Sequence, residues 1–220
     1  MTNCAIIVFV KFPIAGKVKT RIGNDIGFET AAELYTVFVE DMLDNLNNAG
    51  INPIIAYDPH QAEDDYCAWL GARRYMPQQG EDLGERMLNA LRATFRLGFK
   101  TAILTGSDLP DLDPVVVHQA IQSIQKSPAC IGPAKDGGYY LIGFQKGTLT
   151  DSVFKDMEWS TDAVFDETIS RLKKRKIEPV ILREHQDMDT LADLKRLTAN
   201  PANVLLCPKS MALLNTFMQS

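Results

Sequence analysis

The chain has 220 residues, 45% hydrophobic and 23% charged, with a formal net charge of −5. That length suits one sizeable core in a single domain spanning residues 1–220, and the acidic balance argues against general affinity for nucleic acid, whose binders are usually basic. Cys4, Cys67, Cys130 and Cys207 form no CxxC pair, apolar runs fall short of the ~20 residues of a membrane helix, and "MTN" lacks a cationic leader, so the expectation is a cytoplasmic protein with reduced thiols and no membrane span.

In chain order, Ala5–Val10 reads as a buried strand, followed by the loop "KFPIAGKVKTRIG". Residues 30–48 carry Ala31, Leu34, Tyr35, Phe38, Met42 and Leu46 at helical spacing, with Gly50 as a stop. A strand over 51–57, a short helix over 61–70 and a helix over 83–97 follow, the last with Leu83, Met87, Leu91 and Phe95 on one stripe. "TAILT" (101–105) is a strand, and Asp113-Pro114 supplies an N-cap and first-turn proline for a helix to about Gln125. Cys130–Gly132 and Tyr139–Phe144 read as strand pieces around a glycine loop. Ser160 or Thr161 is expected to cap a helix ending in "KKRK", "PVILR" is a strand, and Thr190 with Asp193 has capping-box spacing. "CPKSMALLNTFMQS" closes the chain as a short packing helix. This alternation predicts a doubly wound, mostly parallel α/β sheet.

Ligands of such sheets bind beyond the carboxyl ends of the strands, so the loops after each strand carry the functional expectations. In the first loop, Gly16 permits close backbone approach, and Lys11, Lys17, Lys19 and Arg21 supply cationic donors suited to a polyphosphate; a solvated lysine turn is the plainer alternative. Asp108, in "GSDLPDLDP", is placed to hold Mg²⁺, a hard cation that takes oxygen ligands, unless it serves only the turn. "DGG" at 136–138 is either a tight hairpin turn or bare backbone at Gly137 and Gly138 against a substrate, with Asp136 bonding its hydroxyls. Asp187 and Asp189, one residue apart, point to the same side of an extended segment. Their repulsion is relieved by a divalent cation, or they are ordinary acidity before a helix. One arrangement accounts for all four loops: a magnesium–nucleotide at the sheet edge.

"KFPIAGKVKTRIG", "GEDLGERM", "GSDLPDL", "GPAKDGGYYLIG", "MEWSTDAVFDET" and "DMDTLADL" together resemble the DUF2064 family, described as glycosyltransferase-like or nucleotidyltransferase-like proteins. The resemblance runs from about residue 4 to residue 197 and implies the GT-A, nucleotide-diphospho-sugar transferase fold, shared with phospholactate and molybdenum cofactor guanylyltransferases. It implies triphosphate binding by Gly16, Lys19 and Arg21, and Mg²⁺ (or Mn²⁺) contact at Asp108 and at Asp187 or Asp189. It places Gly84 near the nucleobase or ribose, unless Leu83–Met87 is merely a helix start. Trp159, Ser160 and Thr161 border an acceptor pocket, or else form a buried tryptophan before a capped helix. Asp108, Lys19 and Arg21 are the expected catalytic groups; the partners are a nucleotide or nucleotide-sugar and a small-molecule acceptor. Glycosyl transfer, nucleotidyl transfer and a non-catalytic nucleotide-binding module are the three readings these residues allow.

Overall fold

The structure, a computed structural model, describes residues 3–218. Its frame is a seven-stranded sheet: β1 (Cys4–Val10), β2 (Ile54–Tyr57), β3 (Arg74–Pro77), β4 (Thr101–Thr105), β5 (Ala129–Pro133), β6 (Tyr139–Gln145) and β7 (Pro179–Ile181), in the order β3-β2-β1-β4-β6-β5-β7. All neighbours run parallel except β6, which is antiparallel to β4 and to β5. The central strands are mostly apolar because helices cover both of their faces.

The helices are α1 (Thr20–Ile26), α2 (Phe28–Asn48), α3 (Glu63–Leu70), α4 (Leu83–Arg96), α5 (Pro114–Lys126), α6 (Val164–Lys174), α7 (Leu191–Ala199), α8 (Asn203–Leu206) and α9 (Pro208–Met218). Alternation along β1 separates two cores. Ile6, Val8 and Val10 face one formed with Tyr35, Val39 and Met42 of α2, Tyr66 of α3 and Val117 and Ala120 of α5; Ile7 faces another with Leu88 and Leu91 of α4 and Leu172 of α6. The sheet is thus doubly wound, as the sequence predicts. A third cluster joins Ile22 of α1, Leu34 and Phe38 of α2, Leu194 and Leu197 of α7 and Met211 and Leu214 of α9. The C-terminal helix is docked by a buried anchor as well: Asp41 accepts from the backbone of Lys209 and Ser210 at 3.1 and 2.8 Å and from the Ser210 hydroxyl at 2.6 Å. Residues 219 and 220 of the predicted closing segment lie outside the described residues.

Three of these elements lie outside the sequence reading, which has no helix at α1 or α8 and no strand at β3. One assignment is corrected. Neither Ser160 nor Thr161 caps α6, whose N-cap is Ala163 without a side-chain bond. Ser160 instead has φ +66° and Thr161 closes a local turn onto the Glu158 carbonyl, so the chain rises into the helix only three residues later.

Candidate functional site

The parallel pairing of β1 with β4 brings the ends of both strands to one edge. The antiparallel return of β6 adds its first residues there, with the Gly106 N–H donating to the Tyr140 carbonyl at 3.3 Å. A cleft of about 690 Å³ opens at this edge; Lys11, Lys17, Lys19 and Arg21 line it from the first loop and α1, and Ser107, Asp108 and Asp189 face them. Arg21 and Asp108 therefore open onto one cavity. A buried bridge fixes the two sides: Tyr35 of α2 accepts from the Lys11 backbone N–H at 3.0 Å and shares a 2.8 Å hydrogen bond with Ser107.

Lys19 is the hinge of the arrangement. It occupies the N-cap position of α1 with left-handed backbone, φ 47° and ψ 44°. The side chain is only 3% exposed, and its ammonium lies 2.8 Å from Asp108 Oδ2 and 2.8 Å from Asp189 Oδ1. Burial alone would lower its pKa; the charges of Asp108 and Asp189, and their hydrogen bonds, outweigh this and raise it. Arg21, by contrast, is 76% exposed and reaches Asp189 only loosely, at 3.8 Å.

The loop after β7 delivers the opposing acids. It is laced to the end of β5 by the His185 N–H onto the Pro133 carbonyl and the Lys135 N–H onto the His185 carbonyl, at 3.0 and 3.1 Å. Met188 is buried in the third core, and its N–H donates to the Asp108 carbonyl at 3.2 Å, tying this loop to the one after β4. Its neighbours Asp187 and Asp189 are thereby held beside Asp108. The predicted capping box at Thr190 and Asp193 is formed, and Asp193 also accepts from the Asp189 N–H at 3.2 Å. Asp187 is the strained member: desolvation first, then the charges of Asp108, Asp189 and Asp136 against the relief from Lys19, push its pKa up to about 7. Its Oδ1 is buried without a hydrogen-bond partner among the described residues.

That orphaned oxygen bears on whether a divalent cation suits the site. Asp108, Asp187 and Asp189 offer hard oxygen donors of the kind Mg²⁺ prefers, and a cation would satisfy Asp187. Among the described residues, no three His, Cys, Asp or Glu side chains are gathered closely enough to form a metal site as they stand. The Lys19 ammonium holds the gap between two of them.

Other predicted residues lie apart from the cleft lining. Gly84 is buried beneath Trp159; a side chain there would strike the Trp159 ring and the Phe154 carbonyl. Trp159 packs against the second core, edge-on to Tyr139 with ring centroids 6.4 Å apart. Gly137, at φ +89°, lies against the Asp162 backbone and accepts from the Phe165 N–H at 2.8 Å, so this glycine is required by protein contact. Asp136 is exposed and accepts from the Gly138 N–H at 2.9 Å, and Gly16, at φ +74°, turns in open space. Sequence reasoning missed Tyr35, Ser107, Arg86 and Tyr139, all of which line the cleft. For Arg86, "GER" beside an already suspected glycine was an available signal; Tyr35 is indistinguishable from a core residue on its helical stripe.

This combination defines an α/β fold of the nucleotide-diphospho-sugar transferase type with a charged cleft at the carboxyl edge of its sheet. The chain belongs to the DUF2064 family, described as uncharacterized proteins conserved in bacteria, whose match covers residues 42–161. That span includes Asp108 but neither the first loop nor Asp187 and Asp189. A Desulfovibrio desulfuricans G20 protein, provisionally described as a nucleotide-diphospho-sugar transferase, is 38% identical, with a TM-score of 0.94 over 100% of this chain and 96% of its own. The 4-diphosphocytidyl-2C-methyl-D-erythritol synthase of Anaerococcus prevotii DSM 20548 is 12% identical, with a TM-score of 0.58 over 99% of this chain and 100% of its own. A CMP:2-keto-3-deoxy-manno-octonic acid synthetase complexed with CTP is 12% identical, with a TM-score of 0.55 over 89% and 97% respectively. These last two are similar in fold. No curated protein matches the chain. Among the described residues, no helix is long and apolar enough to cross a membrane.

Proposed function

We propose that the chain is a nucleotide-diphospho-sugar transferase that binds a nucleotide donor with Mg²⁺ or Mn²⁺ in this cleft. The observation that carries the reading is the confrontation of Lys11, Lys17 and Arg21 with Asp108 and Asp189 across one cavity. The description of the 38%-identical Desulfovibrio protein supports the sugar-transfer class. In this reading Arg21 and Lys17 neutralise the donor's phosphates, Lys11 fixes their position, and Asp108 with Asp187 or Asp189 holds the cation. The bound cation would stabilise negative charge on the diphosphate leaving group. An acceptor hydroxyl is assigned to Asp136, exposed on the turn after β5 and near enough for its charge to act on Asp187; Trp159, over Gly84, backs Tyr139 of the cleft lining.

Nucleotidyl transfer, with a phosphorylated acceptor attacking the α-phosphorus of a nucleoside triphosphate, is the second reading. The density of cations lining the cleft, with Arg86 added to those of the first loop, favours it by suiting the larger charge of a triphosphate. Product analysis separates the two. Purified protein with Mg²⁺ or Mn²⁺ is incubated with nucleotide-sugars and simple acceptors, and separately with nucleoside triphosphates and phosphorylated acceptors. The expected product is nucleoside diphosphate from a nucleotide-sugar; pyrophosphate from a triphosphate would assign nucleotidyl transfer instead. Neither product from any donor, together with no donor binding, would contradict both.

A further inference from the structure

Lys19 is placed unlike the other cations of its loop. Lys11, Lys17 and Arg21 are exposed, whereas Lys19 is withdrawn, its ammonium 2.8 Å from carboxylates contributed by two separate loops, those after β4 and β7. Its left-handed backbone at φ 47° is unfavourable for a side-chain-bearing residue and persists only where the surroundings enforce it. Taking an ammonium out of water also costs several kcal/mol unless it is well paired. Both costs are met here by the same two contacts.

Those contacts are to the carboxylates assigned to the cation, and this step rests on that assignment. An ammonium hydrogen-bonded to both carboxylates occupies the oxygens that a divalent ion held by Asp108 and Asp189 would need. Metal–oxygen bonds of about 2.0–2.1 Å for Mg²⁺ leave no room for both. Lys19 nevertheless lines the same cleft as the proposed phosphate-binding cations, so the ammonium has an alternative anion to turn to. We infer that Lys19 is an internal counter-ion that competes with the divalent cation for Asp108 and Asp189, and that donor phosphates admit the metal by drawing the ammonium away. Without a donor, Lys19 keeps the carboxylates neutralised and in register at the expense of metal affinity. Donor and metal then bind synergistically, with Lys19 as the positioning residue that couples them.

Mn²⁺ alone is the probe, titrated into nucleotide-free wild type, Lys19→Met and Lys19→Gln, with free ion counted by electron paramagnetic resonance. Removing the competing charge is expected to tighten Mn²⁺ binding at least tenfold in both variants, whereas a purely structural role would weaken it. Equal or weaker binding in folded variants overturns the inference while leaving the metal–nucleotide reading intact. Mn²⁺ binding by none of the three, and by wild type not even with nucleotide-sugars or nucleoside triphosphates present, would remove both. Should the variants fail to fold, the wild type decides by NMR of ¹³Cε-labelled lysine. On saturation with Mg²⁺, the Lys19 signal should move toward that of free lysine; an unmoved signal with Mg²⁺ bound overturns the inference.

Discussion

Asp108→Ala is expected to lower transfer turnover on the order of 10²–10³-fold, the scale on which loss of one preorganised electrostatic group acts. It should also abolish the metal-dependent part of donor binding. The stability change should be far smaller. Removing one partner from a buried ion pair costs about 3–5 kcal/mol, but the Asp108 side chain is 38% exposed and Lys19 retains Asp189 at 2.8 Å. Solvent screening at a half-exposed carboxylate brings the figure to about 1–2 kcal/mol. Steady-state rates, donor titrations with and without Mg²⁺, and urea denaturation measure the three effects. Asp113→Ala is the control five residues on. That side chain caps α5 through the Val115 N–H at 2.9 Å, so about 1 kcal/mol of stability should go while turnover stays. Equal rate losses in both variants would deny Asp108 its special role.

In metal-free protein, Asp187 should make stability fall as pH rises from about 4 to about 7. Its folded pKa, about 7, lies above the ordinary carboxylate value of 3.8, so over that window the folded state binds more protons than the unfolded chain. Stability therefore decreases until the folded carboxyl has ionised, and is level beyond. At 1.36 kcal/mol per pKa unit the full drop is roughly 4 kcal/mol at most, shared with the acids that titrate alongside it. Asp187→Asn should flatten this slope, and at pH 8 in EDTA it should be the more stable protein. It should also lose most of the stabilisation that Mg²⁺ gives the wild type. Urea midpoints at pH 5 and pH 8 check the sign; a parallel fall in the variant would mean that the slope arises elsewhere.

The sheet was legible wherever strands were fully buried: "TAILT" is β4 to the residue, and the alternation of runs and helical stripes was enough for a doubly wound fold. β3 was not, because Arg74–Pro77 is an edge strand whose residues are half-buried or exposed and carry no alternation. α1 hid in a stretch rich in glycine and lysine; its helical state is fixed by Ile22 entering a core built from α2, α7 and α9, which no local pattern announces. In the candidate site, the convergence of the loops after β1 and β4 with the acids after β7 was readable because a doubly wound sheet gathers its strand ends at one edge. The burial of Lys19 between two carboxylates was not. A lysine among lysines reads as exposed, and its partner Asp189 lies 170 residues along the chain. Gly84 and Gly137 carried a true signal of close approach, but sequence does not say whether a ligand or the protein itself comes close; here Trp159 and Asp162 do.

The most direct test is a crystal structure of the wild type grown with Mg²⁺ and the donor, nucleotide-sugar or nucleoside triphosphate, that the product assays identify. Phosphates are expected against Arg21 and Lys17, with an ion between them and Asp108 and the Lys19 ammonium moved off the Asp108–Asp189 pair toward the phosphates. A nucleotide bound away from this cleft, or phosphates in it with the ion remote from all of Asp108, Asp187 and Asp189, would contradict the metal–nucleotide reading.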